Sequence, residues 1–496
     1  MTIHWGFSGL SHDAALAVFQ DNQLVFAAHS ERYSRIKNDK FLNTEIIGEA
    51  LAWGQPDKVF FYETPWLKKT RQISAGQFHL LFQTSPRQHL KSFGITAPIV
   101  YQRHHESHAC AGYYTAPFDR AAVLCLDSIG EWETLSLWLA EHDTLTRITS
   151  QGYPHSVGLW YSAMTQRIGL KPQEHEYILM GMAALGDPNR FYNNIKDYFI
   201  QTMPEPCNAD LIFKRNLHRG CMEWMPDLVE ADYPDVAAAT QKLFEEIVTD
   251  IFEFIRCSTN ETNLVLMGGS ALNCVANTIA TQMFENVWIM PNPGDAGSAI
   301  GAVLADHRRA IAWPGPFLGH DIPGEYPVDQ ILKTLIKHRV TGVAAGRAEF
   351  GPRALGNRSL LADPRGKDIK DLVNQYKQRE LFRPFAPAIL AEHVHKYFDV
   401  PKGFESPYMQ YTVKCKRPDL FPAIVHYDNT SRVQTVTQQD NPGFRRLLER
   451  WYETTGCPML LNTSLNIKGE PLLNSLEDAK RWEAQYGIPI CVPINK

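Results

Sequence analysis

The 496-residue sequence contains no apolar run approaching the roughly 20 residues that would span a bilayer. It shows no charged-then-apolar leader at Met1. Its nine cysteines form no C-x-x-C pair, and they occur singly from Cys110 to Cys491. That scatter and the odd total suggest neither a disulfide framework nor a thiolate zinc site, so the cysteines read as small buried hydrophobes. Together these absences predict a soluble, cytoplasmic protein that makes no use of a membrane. A net charge of −5 argues against a protein that coats nucleic acid nonspecifically and leaves room for a local basic groove. Acid is missing altogether from Thr64 to His105, where Lys68, Lys69, Arg71, Arg87, Lys91 and Arg103 fall among Trp66, Phe78, Phe82, Phe93 and Tyr101. Two readings fit this stretch: a solvated face whose carboxylate partners lie elsewhere in the sequence, or a phosphate-binding wall with stacking platforms.

The length exceeds what one core usually serves, and two or three domains are expected. An apolar strand from Ile3 to Phe7 leads into a polar turn, Ser8 to Asp13, and then into apolar runs at Ala14 to Phe19 and Leu24 to Ala27. The pattern returns at Ala121 to Leu126, Asp127 to Glu133 and Leu135 to Leu139. Two copies of strand, turn and strand suggest a duplicated α/β domain, outlined as in the actin-like, sugar-kinase-like ATPases, whose two turns face each other across a nucleotide cleft. Ala239, Leu243, Ile247, Ile251 and Ile255 recur every four residues and predict a helix from Val236 to Ile255. A strand from Leu264 to Met267 runs into Gly268-Gly269-Ser270, a strand-to-helix turn that lets backbone N–H groups approach an anion. Gly294-Asp295-Ala296-Gly297 makes a similar turn. Proline and glycine cluster between Pro314 and Pro327, so a boundary is placed at 316/317, giving domains 1–316 and 317–496.

His104 and His108 are four apart, which on a helix puts both imidazoles on one face. With carboxylates from the polar turns, Asp127 and Asp295, they would suit Fe(II), Mn or Zn, and the sequence does not choose among these. His12 on the first turn is either a turn-stabilising residue or a general base toward a hydroxyl. Beyond the boundary, Arg353 and Arg358 lie among fixed turns, Lys377 and Arg383 precede Pro384-Phe385-Ala386-Pro387, and Arg432 and Ser464 follow. Guanidinium groups bind phosphate oxygens in pairs, and several together predict an anionic ligand.

At these residues the sequence resembles the nodulation-protein-U and antibiotic-biosynthesis O-carbamoyltransferase family. The likeness runs through Gly9-Leu10-Ser11-His12-Asp13-Ala14-Ala15, Glu31-Arg32-Tyr33-Ser34-Arg35, His104 to Ala109, Gly130-Glu131-Trp132, Gly268 to Asn273, Gly294 to Gly297, Glu349 to Arg365, Arg383 to Pro387, Arg432 to Thr435 and Leu460 to Glu470. The resemblance implies an N-terminal actin-like ATPase domain (ASKHA, duplicated ribonuclease-H-like) joined to a C-terminal YrdC-like α/β domain. It further implies that carbamoyl phosphate and ATP, with Mg, form carbamoyl-adenylate at Lys377, Arg383, Arg432 and Ser464, with Arg353 and Arg358 on the nucleotide. The N-terminal domain would then hold iron on His104, His108, Asp127 and Asp295. There Gly268, Gly269 and Asn273 would approach the nucleoside, and His12 would assist the acceptor hydroxyl. That acceptor would be a sugar or polyketide hydroxyl of a natural product, or the 5-hydroxymethyl group of a modified pyrimidine in DNA. Ile178 stands where the family usually has lysine, Ser128 where glycine is usual, and the chain is shorter than typical members. A noncatalytic ATP-binding module is the competing reading. Carbamoyl transfer to a thiol in hydrogenase maturation would call for zinc-finger cysteine pairs, which are missing. Oligomeric state is not readable from the sequence.

Overall fold

The computed structural model describes residues 1–493. The chain forms two compact units. The first comprises Met1–Ser11, Ala15–Val25 and Ala50–Trp313; the second comprises His12–Ala14, Phe26–Glu49 and Pro314–Lys496, whose residues 494–496 lie outside the described set. No helix among the described residues is long and apolar enough to cross a membrane.

Strands β1 (Ile3–Ser8), β2 (Ala15–Gln20), β3 (Gln23–His29), β4 (Lys58–Phe61) and β5 (Ile99–Tyr101) make one sheet in the order β3-β2-β1-β4-β5. β1 runs antiparallel to β2 and parallel to β4, and β4 is parallel to β5. Strands β6 (Arg120–Gly130), β7 (Glu133–Glu141), β8 (Thr144–Gly152), β9 (Asn263–Met267) and β10 (Asn286–Trp288) make a second, in the order β8-β7-β6-β9-β10. There β6 runs antiparallel to β7 and parallel to β9, which is parallel to β10. Both sheets place a three-strand meander beside two parallel strands in the same order, which is the duplication that the repeated pattern predicted.

Helix α1 (Pro65–Ser74) follows β4, α2 (His104–Tyr113) follows β5, α3 is Tyr233–Thr259 and α4 is Ser298–His307. α3 contains the predicted Val236–Ile255 helix and exceeds it by a few residues at each end, starting beside Pro234 and stopping where Asn260 turns left-handed at φ 54°. All five residues of its four-residue repeat are buried. Two glycines let α4 settle into the core. A Cβ on Gly6 would lie 1.7 Å from the Ala299 carbonyl oxygen, and one on Gly301 would lie 1.8 Å from that of Ser107. Either contact would force the helix away from β1 or from α2.

In the second unit, strands β11 (Val340–Ala344), β12 (Arg358–Ala362), β13 (Ala386–Leu390), β14 (Gln434–Val436), β15 (Met459–Ser464) and β16 (Ile490–Cys491) form a mixed sheet in the order β14-β13-β15-β12-β11-β16. Helices α5 (Val328–His338), α6 (Ile369–Tyr376) and α7 (Pro442–Thr455) bury Ile331, Leu335, Ile369, Val373, Leu447 and Trp451 in the same core as its strands. Part of this unit comes from the start of the chain. Arg32 donates to the Gly351 carbonyl at 2.6 Å, and Arg35 donates to the carbonyls of Leu472 and Pro471 at 2.5 and 2.9 Å.

His29, in that same segment, rests on the Phe350 ring with centroids 5.1 Å apart. Burial, then the nearby Arg32 guanidinium, hold its pKa down to about 3, with Asp13 pulling the other way. An unfolded chain protonates this imidazole near pH 6.5, so the stability tied to its neutral form is complete above that pH and is lost as pH falls toward 3. The His29→Phe variant should therefore lose about 2 kcal/mol less stability than the parent between pH 7 and 4.5. Urea unfolding at the two pH values checks this, and equal losses would contradict it.

Candidate metal centre and anion site

α2 carries His104 and His108, β6 carries Asp127, and Asp295 sits in the turn that opens α4. The predicted helical spacing holds, and the two distant aspartates close on the same point. His104 Nε2 lies 3.3 Å from Asp127 Oδ2, 3.4 Å from Asp295 Oδ1 and 3.2 Å from His108 Nε2, and His108 Nε2 lies 3.3 Å from Asp295 Oδ1. One donor atom from each residue falls within 4.8 Å of all the others, and all four side chains are buried. Donors that share an ion at bond lengths of about 2.1 Å sit roughly 3 to 3.5 Å apart, so the observed spacing fits a first-row divalent metal.

The electrostatics agree with a cationic centre. Burial pushes the His104 pKa down, yet Asp295, Asp127 and Glu63 overcome it and hold it well above the ordinary value. Asp127 is held low although burial works against its ionisation, because His104 and His108 face it. The two buried carboxylates thus draw positive charge onto the imidazoles, as they would onto an ion in the same place.

The surroundings fix these groups. Asp127 Oδ1 accepts the Gly269 backbone N–H at 3.1 Å, joining the Gly-Gly turn to the centre. Gly268 has φ 90°, and a Cβ there would lie 2.3 Å from the Leu126 carbonyl oxygen, so only glycine fits. A Cβ on Gly130 would meet the His104 ring at 2.1 Å. Asn273 closes the Gly-Gly turn. Its side-chain oxygen caps a helix by accepting the Ala276 N–H at 3.1 Å, and its amide exchanges hydrogen bonds with Gln241.

Residues that the sequence reading missed complete the centre. Ser298 Oγ lies 3.1 Å from His108 Nδ1, and Glu63 Oε2 lies 3.8 Å from His104 Nδ1. Ser298 was findable, three residues beyond Asp295 on the same turn. Glu63 carried no spacing signal. His105 turns away and pairs with the Ser136 hydroxyl at 2.8 Å. Ile178 is buried, and Ser128 is half-buried in β6.

The acid-free segment is only partly a surface. Lys68 pairs with Glu63 at 2.6 Å and contacts the Ser11 hydroxyl. Arg71 is buried, donating to Gln77 at 2.7 Å and to the Glu131 carbonyl at 3.3 Å, and Arg103 lies 3.9 Å from Glu131. Lys69, Arg87 and Lys91 remain exposed. The carboxylate partners of Lys68 and Arg103 flank the segment in sequence, so two of the cations that would make a phosphate wall, Lys68 and Arg71, are spent inside the fold.

In the second unit, Lys377 and Ser464 are brought together. The Lys377 ammonium, 4% exposed, donates to the Ser464 carbonyl at 2.5 Å and hydroxyl at 3.1 Å, and to the Asn466 carbonyl and side-chain oxygen, both at 3.0 Å. Its pKa is pushed well below the ordinary lysine value by burial and then by Arg379 and Arg383. Arg383 lies 3.5 Å from Glu380. Arg432 sits apart in the chain on a short ladder pairing Thr412–Lys414 with Thr430–Arg432. His12 belongs to this unit, its Nδ1 3.3 Å from Asp13. Arg353 is half-buried in the loop before β12.

Arg358 departs from the expectation of a nucleotide contact. It is fully buried and donates to the carbonyls of Asn474, Ala345, Gly346, Asn357 and His320 at 2.9 to 3.1 Å. The guanidinium ties distant backbone segments together and keeps little capacity for a ligand. Its replacement by methionine should cost about 3 kcal/mol or more, since it strands buried carbonyls. Denaturant unfolding tests this, and a loss under about 1 kcal/mol would show the group free for ligand.

A family model described as the carbamoyltransferase N-terminus matches residues 87–304, and one described as the carbamoyltransferase C-terminus matches residues 332–492. The chain is 33% identical to the uncharacterized protein sll1178 of Synechocystis over 97% of this chain and 94% of that protein. It is 31% identical to nodulation protein NolO of Bradyrhizobium diazoefficiens over 76% and 75%, respectively. With the 3'-hydroxymethylcephem-O-carbamoyltransferase of Amycolatopsis lactamdurans it shares 29% identity over 96% and 95%.

Proposed function

Because this chain belongs to the O-carbamoyltransferase family, we propose that it converts carbamoyl phosphate and ATP to carbamoyl-adenylate and transfers the carbamoyl group to an acceptor hydroxyl. In this reading the unit built on Pro314 onward is the YrdC-like, adenylate-forming domain, and the duplicated unit is the actin-like transfer domain. The observation that carries the reading is the convergence of His104, His108, Asp127 and Asp295 on one point, in the unit whose Gly-Gly turn is hydrogen-bonded to one of them.

The four side chains would hold a divalent ion, Fe(II) by the family resemblance, which would supply positive charge toward phosphate oxygens. Asp127 and Gly269 together set how closely the Gly-Gly turn approaches that charge. In the other unit Lys377 is caged by oxygen acceptors from Ser464 and Asn466, and it feels Arg379 and Arg383. Cations gathered in this way favour a polyanion, and an entering phosphate would relieve their mutual repulsion. Arg432 and Arg353 are the further candidates for phosphate oxygens there, and ATP would bring Mg. His12, with Asp13 at its Nδ1, is the candidate general base toward the acceptor hydroxyl.

Of the two acceptors, a small-molecule hydroxyl is our working choice. A DNA acceptor leaned on the acid-free segment as a groove, and Lys68 and Arg71 are engaged within the fold.

Two measurements test the proposal. Protein reconstituted with Fe(II) or Co(II) should hold one ion per chain, and Asp295→Asn or His104→Ala should lower the affinity at least 100-fold; undiminished binding in both variants would remove the centre. Mass spectrometry of protein given ATP and carbamoyl phosphate should detect carbamoyl-adenylate, and Lys377→Met should abolish it while metal content stays intact. Offering hydroxylated small molecules and hydroxymethylcytosine DNA in parallel identifies the acceptor, and carbamoylated DNA would overturn the small-molecule reading.

A further inference from the structure

We propose that Glu63, held in place by Lys68, is the positioning partner of His104, setting the orientation and tautomer with which this imidazole meets the metal. The inference rests on the reading of the four-residue cluster as a metal centre. His104 turns Nε2 toward Asp127 and Asp295, which leaves Nδ1 facing outward. That nitrogen is buried and has no hydrogen-bond partner, and Glu63 Oε2 faces it at 3.8 Å. A small movement of the carboxylate toward the ring turns this approach into a hydrogen bond. His108 already has such support on its outer side, from the Ser298 hydroxyl at 3.1 Å. The two imidazoles are therefore backed differently, one by a neutral hydroxyl and one by a carboxylate. A carboxylate behind a ligating histidine keeps the proton on the outer nitrogen, frees the inner lone pair and makes the ligand more basic.

Glu63 would be costly without a cation of its own. It is 4% exposed and lies in the neighbourhood of two further buried carboxylates. Lys68, from the first turn of α1 and five residues along the chain, meets its other oxygen at 2.6 Å. The same ammonium contacts the Ser11 hydroxyl, within the turn that follows β1. Ser11, Lys68, Glu63 and His104 thus form a polar line from that turn to the cluster, all within the first unit. The geometry gives Lys68 an inward task, although its sequence neighbours make it look like part of a basic surface.

The test is Co(II) titration of the full-length protein, followed by the visible ligand-field bands and by direct metal analysis, for the parent, Glu63→Gln, Lys68→Met, Lys68→Arg and the double variant Glu63→Gln/Lys68→Met. The expected result is a 10- to 100-fold loss of affinity with a changed band pattern in Glu63→Gln. Lys68→Met should follow it, and Lys68→Arg should recover part of the loss. Removing both charges should cost no more than removing Glu63 alone, because both act through one imidazole; this variant also buries no unpaired charge, so it stays informative if a single variant fails to fold. Parent-like affinity and bands in Glu63→Gln or in the double variant, beside a parent that binds one equivalent, would overturn this proposal and leave the metal centre standing. A parent that binds no Co(II) would overturn both.

Discussion

The architecture turns on the approach of one helix to another. α4 lies so close to α2 that the backbone at Gly301 has no room for a methyl group beside Ser107. That approach brings Asp295 and Ser298, at the opening of α4, against His108 and His104 on α2. Asp127 arrives from the second sheet and is tied by Gly269 to the turn beyond β9. Loosening the helix pair would separate ligand atoms far apart in sequence, and no local interaction would bring them back.

The constraint is electrostatic as well as steric. Two aspartates in a buried site repel each other, and desolvation penalises both. Here the cost is met by imidazoles and by backbone N–H donation. The second unit shows the opposite imbalance, with a buried ammonium beside two guanidinium groups and a cage of oxygen atoms. An excess of negative charge in one unit and of positive charge in the other suits one to a cation and the other to phosphate.

Much of this was legible before any coordinates. The His-x-x-x-His spacing gave the shared helical face, the repeated strand and turn pattern gave the duplicated strand order, and the four-residue periodicity gave α3, since all three depend on local chemistry. Glu63 and the inward use of Lys68 and Arg71 were not legible. Composition reports that cations cluster along the chain, whereas the direction of each side chain follows from which carboxylate or carbonyl the tertiary fold presents. Arg358 illustrates the same limit. An arginine among glycines reads as a phosphate ligand, yet five backbone carbonyls, brought from as far as His320 and Asn474, absorb its donors. Asn273 was legible as part of a turn, but its partner Gln241 lies on a helix 32 residues earlier.

The thread of chain from Phe26 to Glu49 carries a consequence for biosynthesis. It leaves the ribosome early and belongs with the unit completed by residues beyond Pro314. Domains usually mature in the order of translation, but here Arg32 and Arg35 must wait for the carbonyls of Gly351, Pro471 and Leu472 before they are satisfied. The second unit thus draws on both ends of the polypeptide. A split gene broken at the proline-rich junction would leave the later piece without the segment that carries Arg32 and Arg35.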